Sequence, residues 1–180
     1  MTIDPQLSVS VISFREKIEV SSKKLWSIIS SPENLNYCHP FCKKNTVKHW
    51  PGKGSEDVLE YYNGLILQRH FTLWKDGIGY ELLIGNGKIA TAKVVWTITE
   101  ITCESSELSI TINILADVAL RKYPKPSRWF LKKFYFLPNM SKYVKAVVQG
   151  FKFYAETGIP VEKNQFGYNQ LFSTRTKIVS

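Results

Sequence analysis

The stretch that most narrows the fold is residues 139–157, NMSKYVKAVVQGFKFYAET, because it is amphipathic at helical spacing while almost everything before it is patterned as strand. Met140, Val144, Val147, Val148, Phe151 and Tyr154 recur at three- and four-residue steps, with Lys142, Lys145, Gln149, Lys152 and Glu156 between them. Asn139 after Pro138 predicts the N-cap, and Gly158 followed by Pro160 predicts the stop. A helix of that length is marginal alone in water, so its apolar stripe must be buried against a partner. The only large partner this chain offers is a sheet.

The turns of that sheet are visible in the sequence. Residues 7–20 alternate as a first strand, with Phe14, Glu16, Ile18 and Val20 on one face and Val9, Val11 and Ser13 on the other. Ser21 or Ser22 caps a short helix over 23–30, Pro32 ends it, and 32–35 predicts a second short helical turn before His39-Pro40-Phe41 returns to extended structure. Turn signals follow at Gly52-Lys53-Gly54, Asn63-Gly64, Asp76-Gly77, Asn86-Gly87 and 104–107. They mark off strands near 43–50, 56–62, 65–74, 78–84, 88–101 and 108–116. In the last, Leu108, Ile110, Ile112 and Ile114 oppose Ser109, Thr111 and Asn113, and before it Val94, Trp96 and Ile98 alternate with Val95, Thr97 and Thr99. With 180 residues and 44% of them apolar, one domain can hold a sizeable core. The element order excludes a doubly wound sheet. It predicts an α+β fold, a seven-stranded curved antiparallel sheet around a long C-terminal helix, with two short helices after strand one, over residues 1–158, then a tail at 159–180.

Ile18-Glu19-Val20-Ser21-Ser22-Lys23-Lys24-Leu25-Trp26, then His39-Pro40, the glycine loop 52–54 and the C-terminal helix resemble, in that order over residues 8–158, the SRPBCC or START-like superfamily. Its helix-grip fold is that of the major birch pollen allergen, polyketide cyclases and lipid-transfer domains. The resemblance implies a cavity between sheet and last helix that holds an apolar or amphipathic small molecule or lipid, oriented by few polar groups. A two-residue loop at Asn63-Gly64 pairs Tyr62 with Leu65 and Val58 with Arg69, which places Glu60, Tyr62, Arg69 and Phe71 on one face, the cavity side if that face is concave. The opposite parity turns Asp57, Tyr61, Gln68 and His70 inward, and the sequence leaves both open. Tyr80, Leu82, Trp96, Ile98 and Ile112 are the expected wall from neighbouring strands, with Phe151 and Tyr154 from the helix.

The first functional reading is a non-enzymatic carrier. The second is a cyclase- or dehydratase-like enzyme using the same cavity, with Glu60, Arg69 and His70 available as acid and base, although no catalytic motif is present. Gly52-Lys53-Gly54-Ser55 is too short for a phosphate-binding loop and leads into a strand. Cys38, His39, Cys42 and His49 match no common zinc spacing, so neither metal nor cofactor is expected.

The net charge of +9 has a local source. Arg121, Lys122, Lys125, Arg128, Lys132, Lys133, Lys142 and Lys145 follow one another without an acidic residue. Within this run, residues 120–138 are longer and more basic than the connection the resembling family has there. Ser127 is the expected cap of a helix here, with a break at Pro138. Arg128, Trp129, Phe130, Lys132, Lys133 and Phe134 read as a lid over the cavity mouth that touches an anionic membrane; the plainer reading is a packed helix with solvated lysines. A third function follows, an interaction module for a membrane or an acidic protein; nucleic acid is disfavoured because no recognised binding module is present. No long apolar run and no leader-like N-terminus occur, so the expected location is cytoplasmic, with peripheral membrane association through the lid. The tail either lies along the body through Phe166, Tyr168, Leu171 and Phe172 or trails free of it, and the oligomeric state is not readable.

Overall fold

In the computed structural model, which describes residue 1 and residues 8–175, β1 (Ser10–Ile18) is followed by α1 (Ser22–Ile29) and α2 (Leu35–Cys38). Then come β2 (Cys42–His49), β3 (Glu56–Tyr61), β4 (Ile66–Lys75), β5 (Gly79–Asn86), β6 (Ile89–Thr102) and β7 (Ser105–Ile114). Short hairpins leave each of β2 to β7 beside its neighbour, and β1 closes onto β7, so the order is β1-β7-β6-β5-β4-β3-β2. Every pair is antiparallel. The chain finishes with α3 (Ala116–Ala119), α4 (Lys125–Leu131), a π-helical turn (Lys132–Phe136) and α5 (Leu137–Thr157). This is the expected helix-grip architecture, a curved seven-stranded sheet holding a long C-terminal helix.

Local chemistry explains the elements. The Ser21 hydroxyl accepts a hydrogen bond from the Lys24 amide at 3.2 Å and caps α1, which buries Leu25 and Ile29. Along α5, Met140, Val144, Val147, Val148, Phe151 and Ala155 are buried against the sheet. Each of the larger side chains contributes about 1.5–3 kcal/mol by leaving water, which is what stabilises the helix. Gly158, at φ +72°, ends it by donating to the Tyr154 carbonyl at 2.8 Å. Gly150 is required for another reason: a Cβ there would run into the Cys38 carbonyl, so only glycine lets the end of α2 rest on α5.

The helix does not start at Asn139, nor does Pro138 break it. Proline lacks an amide proton and crowds the carbonyl four residues earlier, here that of Phe134. The π-helical turn just before it widens the ladder, and the Asn139 side chain donates to the Tyr135 carbonyl at 2.7 Å. Asn139 therefore bonds the helix from within.

The tail returns over the body. The Val161 amide donates to the Tyr37 carbonyl at 2.8 Å, Asn164 to Pro40 at 3.0 Å, and the Asn169 side chain to the Asn139 carbonyl at 2.8 Å. Asn63 Nδ2 holds the Leu171 carbonyl at 2.9 Å, and Phe172 is buried. Among the described residues no helix is long and apolar enough to cross a membrane.

Candidate functional site

The concave space is filled at one end and hollow at the other. At the filled end Trp74 pairs with Tyr80 and Tyr80 with Trp96 across three strands. Phe71 meets Tyr80 at 5.1 Å between ring centroids, Trp50 meets Phe71 at 5.0 Å, and Trp96 meets Phe151 of α5 at 4.9 Å. Beyond this cluster lies a hollow of about 360 Å³ between the sheet and α5. Its walls include Leu59, Leu67, Leu82, Val94 and Ile112 from the strands and Met140, Val144 and Val147 from the helix. The exposed Lys122, Tyr123 and Tyr135 also line it, so it reaches the surface beside α3 and α4. Leu171 and Phe172 line it from the tail.

The β3–β4 hairpin corrects half of the expected face. Tyr61 donates its amide to the Leu65 carbonyl at 2.9 Å, and Gly64 has φ +83°, so the loop has three residues with glycine in the left-handed region. Asp57 thus pairs with Arg69 and Leu59 with Leu67. Arg69 and Phe71 face inward as expected, but from β3 the inward residues are Asp57, Leu59 and Tyr61. Glu60 and Tyr62 lie on the outer face, where Glu60 takes the Lys43 ammonium at 2.6 Å and Lys163 sits over the Tyr62 ring. Gln68 and His70 are outside too; His70 contacts Glu56 at 3.2 Å. Each of the two parities was correct for one strand of the hairpin.

The inward charges form a buried pair. Arg69 and Asp57 are 4% and 1% exposed, and Nε and Nη2 of Arg69 both donate to the carboxylate, Nε at 2.7 Å. Burial alone would depress the guanidinium, but Asp57 more than offsets it and holds Arg69 above its ordinary value.

A second polar chain runs across the hollow from the loop after α2. The Phe41 amide donates to His39 Nδ1 at 3.1 Å; His39 Nε2 lies 3.0 Å from the Tyr143 hydroxyl, which lies 2.9 Å from that of Tyr61. Phe172 packs on both phenol rings, at 4.7 Å from Tyr61 and 4.3 Å from Tyr143. Burial, reinforced by the Arg69 charge, pushes His39 down to about 3, so the imidazole is neutral. Burial likewise pushes Tyr143 up to about 12 and Tyr61 well above the ordinary phenol value. The thiols of Cys38 and Cys42 are raised by burial, Cys42 to about 12. Among the described residues no three His, Cys, Asp or Glu side chains converge as metal ligands.

Of the residues expected at the cavity, Arg69, Leu82, Trp96 and Ile112 line the hollow. Phe71, Tyr80 and Phe151 point inward but are engaged in the aromatic cluster, and Ile98 is buried in the core outside the lining. Tyr154 stacks on the half-exposed Tyr37, away from the hollow. His39 and Tyr143 were not singled out for the cavity from sequence, although Tyr143 stands three residues from Met140 and four from Val147, the spacing of the buried stripe. In the basic segment, Arg128 donates to the carbonyls of Tyr123 and Arg121 at 2.7 and 2.8 Å and so folds the preceding loop. Trp129, Phe130 and Phe134 stand out at 64%, 61% and 56% exposed, and Lys133 lies over the Trp129 and Phe134 rings. Lys132 is half-buried, and Leu131 and Phe136 of the same segment line the hollow.

No protein-family model matches the sequence, and no curated protein matches it. Solved structures do match the fold. The Aha1 dimer from Colwellia psychrerythraea has a TM-score of 0.61 at 12% identity over 83% of this chain and 98% of that one. The di-domain ARO/CYC StfQ from the steffimycin biosynthetic pathway has 0.57 at 10% identity, over 82% of this chain and 45% of that one. A START superfamily protein from Mycobacterium smegmatis has 0.55 at 16% identity, over 79% and 98%. At these identities the likeness is one of fold, and the fold is the START-like helix grip.

Proposed function

We propose that this chain binds a hydrophobic small molecule or lipid in the hollow between the sheet and α5, as a carrier. The observation that carries this reading is the hollow itself: about 360 Å³, within the range of small-molecule sites, with aliphatic walls and an opening beside exposed aromatic side chains. Its titratable groups favour a carrier over a catalyst. A general acid or base works best with a pKa near the operating pH, whereas His39 stays neutral and Tyr61 and Tyr143 stay protonated throughout that range. The cyclase- or dehydratase-like alternative rests on likeness in fold to enzymes such as StfQ and norcoclaurine synthase.

Two measurements test the reading. Native mass spectrometry of the purified protein is expected to show a co-purifying apolar ligand. N-phenyl-1-naphthylamine, a neutral fluorescent probe, should bind the protein and lose at least about tenfold in affinity on Val94→Phe, which puts a ring into the hollow. Unchanged probe binding by a folded Val94→Phe would remove the hollow as the site.

A second reading concerns the mouth. Arg121, Lys122, Lys132 and Lys133 stand with the exposed Trp129, Phe130 and Phe134 in a segment, Arg121 to Lys145, that has no acidic residue. Such a face suits an anionic bilayer, with rings in the interface and cations at the headgroups, and would deliver ligand directly to the mouth. Co-sedimentation with anionic but not zwitterionic vesicles is the expected result. Equal, negligible binding to both would leave an acidic protein as the partner for this face.

A further inference from the structure

The polar end of the hollow has more protons to donate than its own acceptors take up. The Phe41 amide points at His39 Nδ1 at 3.1 Å, so that nitrogen is the acceptor and the neutral ring carries its single proton on Nε2. Nε2 therefore donates to Tyr143, 3.0 Å away. Between Tyr143 and Tyr61, at 2.9 Å, one proton makes one bond. The chain holds three protons, one on the imidazole and one on each phenol, and has two internal links. Whichever way the phenol pair is oriented, one O–H is left without an acceptor in the chain.

Arg69 also stands on the wall of the hollow, with Nε and Nη2 engaged by Asp57. Buried donors without acceptors are costly and are normally matched by something. The matching group must accept a hydrogen bond from that O–H. It should also be uncharged. Arg69 is already balanced by Asp57, so a carboxylate would bring a net charge into a buried space, and an ammonium would meet the Arg69 cation.

We infer that the ligand of this hollow carries a neutral carbonyl oxygen, as in a ketone, ester or lactone, at the end that meets Tyr61 and Tyr143, with its apolar body running toward the mouth. This rests on the ligand-binding reading above and narrows it to a head-group class. The test is displacement of N-phenyl-1-naphthylamine by three compounds of equal chain length: a methyl ketone, the alkane and the primary amine. The ketone is expected to compete about tenfold better than the alkane, the size of one hydrogen bond, and the amine no better than the alkane. Its infrared C=O band should move to lower frequency on binding. In a folded Tyr61→Phe/Tyr143→Phe double variant the ketone's advantage should shrink while the alkane still binds.

Equal competition by all three, or a C=O band unchanged from that in alkane solvent, would overturn the carbonyl inference and leave a cavity carrier standing. Failure of the probe and of all three compounds to bind would overturn both.

Discussion

Breaking the Asp57–Arg69 pair on one side is expected to cost far more than removing it whole. Both side chains are almost completely buried, and the carboxylate takes two guanidinium donors, so neither ion has water to fall back on. Removing one partner of such a pair typically costs about 3–5 kcal/mol, whereas exchanging both for apolar residues of similar volume is often neutral or stabilising. Against a total stability of roughly 5–15 kcal/mol, Asp57→Leu alone should therefore remove a large share. It should be the worse single change, because a stranded guanidinium cannot shed its proton. Asp57→Leu/Arg69→Met should return close to wild type. Urea titration at neutral pH reads this directly, as a shift of midpoint at constant slope. A coupling energy of at least about 3 kcal/mol between the two sites is expected. Losses that simply add, or an Asp57→Leu variant within about 1 kcal/mol of wild type, would refute the claim that a dry ion pair stands at the polar end of the hollow. The double variant also separates stability from recognition: if it keeps the fold and loses the preference for a ketone, the pair serves the ligand.

The depressed His39 makes stability pH-dependent in a defined direction. Below the ordinary histidine value the unfolded chain binds a proton that the folded chain excludes, so its contribution is complete above about 6.5 and is lost as pH falls toward about 3. His39→Gln should flatten the difference in urea midpoint between pH 7 and pH 5; an unchanged slope would show that the folded protein protonates this ring normally. Gly150→Ala should destabilise by about 1–3 kcal/mol, since its methyl meets the backbone carbonyl of Cys38, and a neutral result in thermal melts would mean that α2 moves freely off α5. Glu60→Gln, on the outer face, should stay within about 0.5 kcal/mol and leave probe affinity unchanged.

The element order was legible because the turns are punctuated by glycine and because β6 and β7 are apolar on one face only. Val94, Trp96 and Ile98, and Leu108, Ile110, Ile112 and Ile114, point where alternation placed them. The β3–β4 pair gave no such guide. Val58 and Tyr62 are apolar on the outer face and Asp57 and Arg69 are charged on the inner one, so pattern and burial disagree. Register then depended on whether Asn63-Gly64 closes a two- or a three-residue loop, and one residue of difference reverses a whole strand. The bulge between Phe71 and Leu73 is hidden in the same way; it lets both Phe71 and Trp74 join the inner cluster, which strict alternation forbids. The chain of His39, Tyr143 and Tyr61 assembles three distant segments, and no local pattern brings those together.

The position of the hollow nevertheless follows from residue volume once register is known. Across β5 and β6 the inward pairs are Tyr80 with Trp96, then Leu82 with Val94, then Ile84 with Ala92. Side-chain volume falls at each step, while the next strand continues from Phe71 to Arg69 opposite the same pairs. On α5 the residues over this gradient shrink in the same direction, from Phe151 to Val147 and Val144. Sheet and helix are held a fixed distance apart by the aromatic end, so the small end cannot collapse onto itself without prising that cluster open. A hollow is thus what the packing of Trp96 on Phe151 leaves behind. Ala92 and Val94 set its size, and Arg69 and Tyr61 make one end of its wall polar.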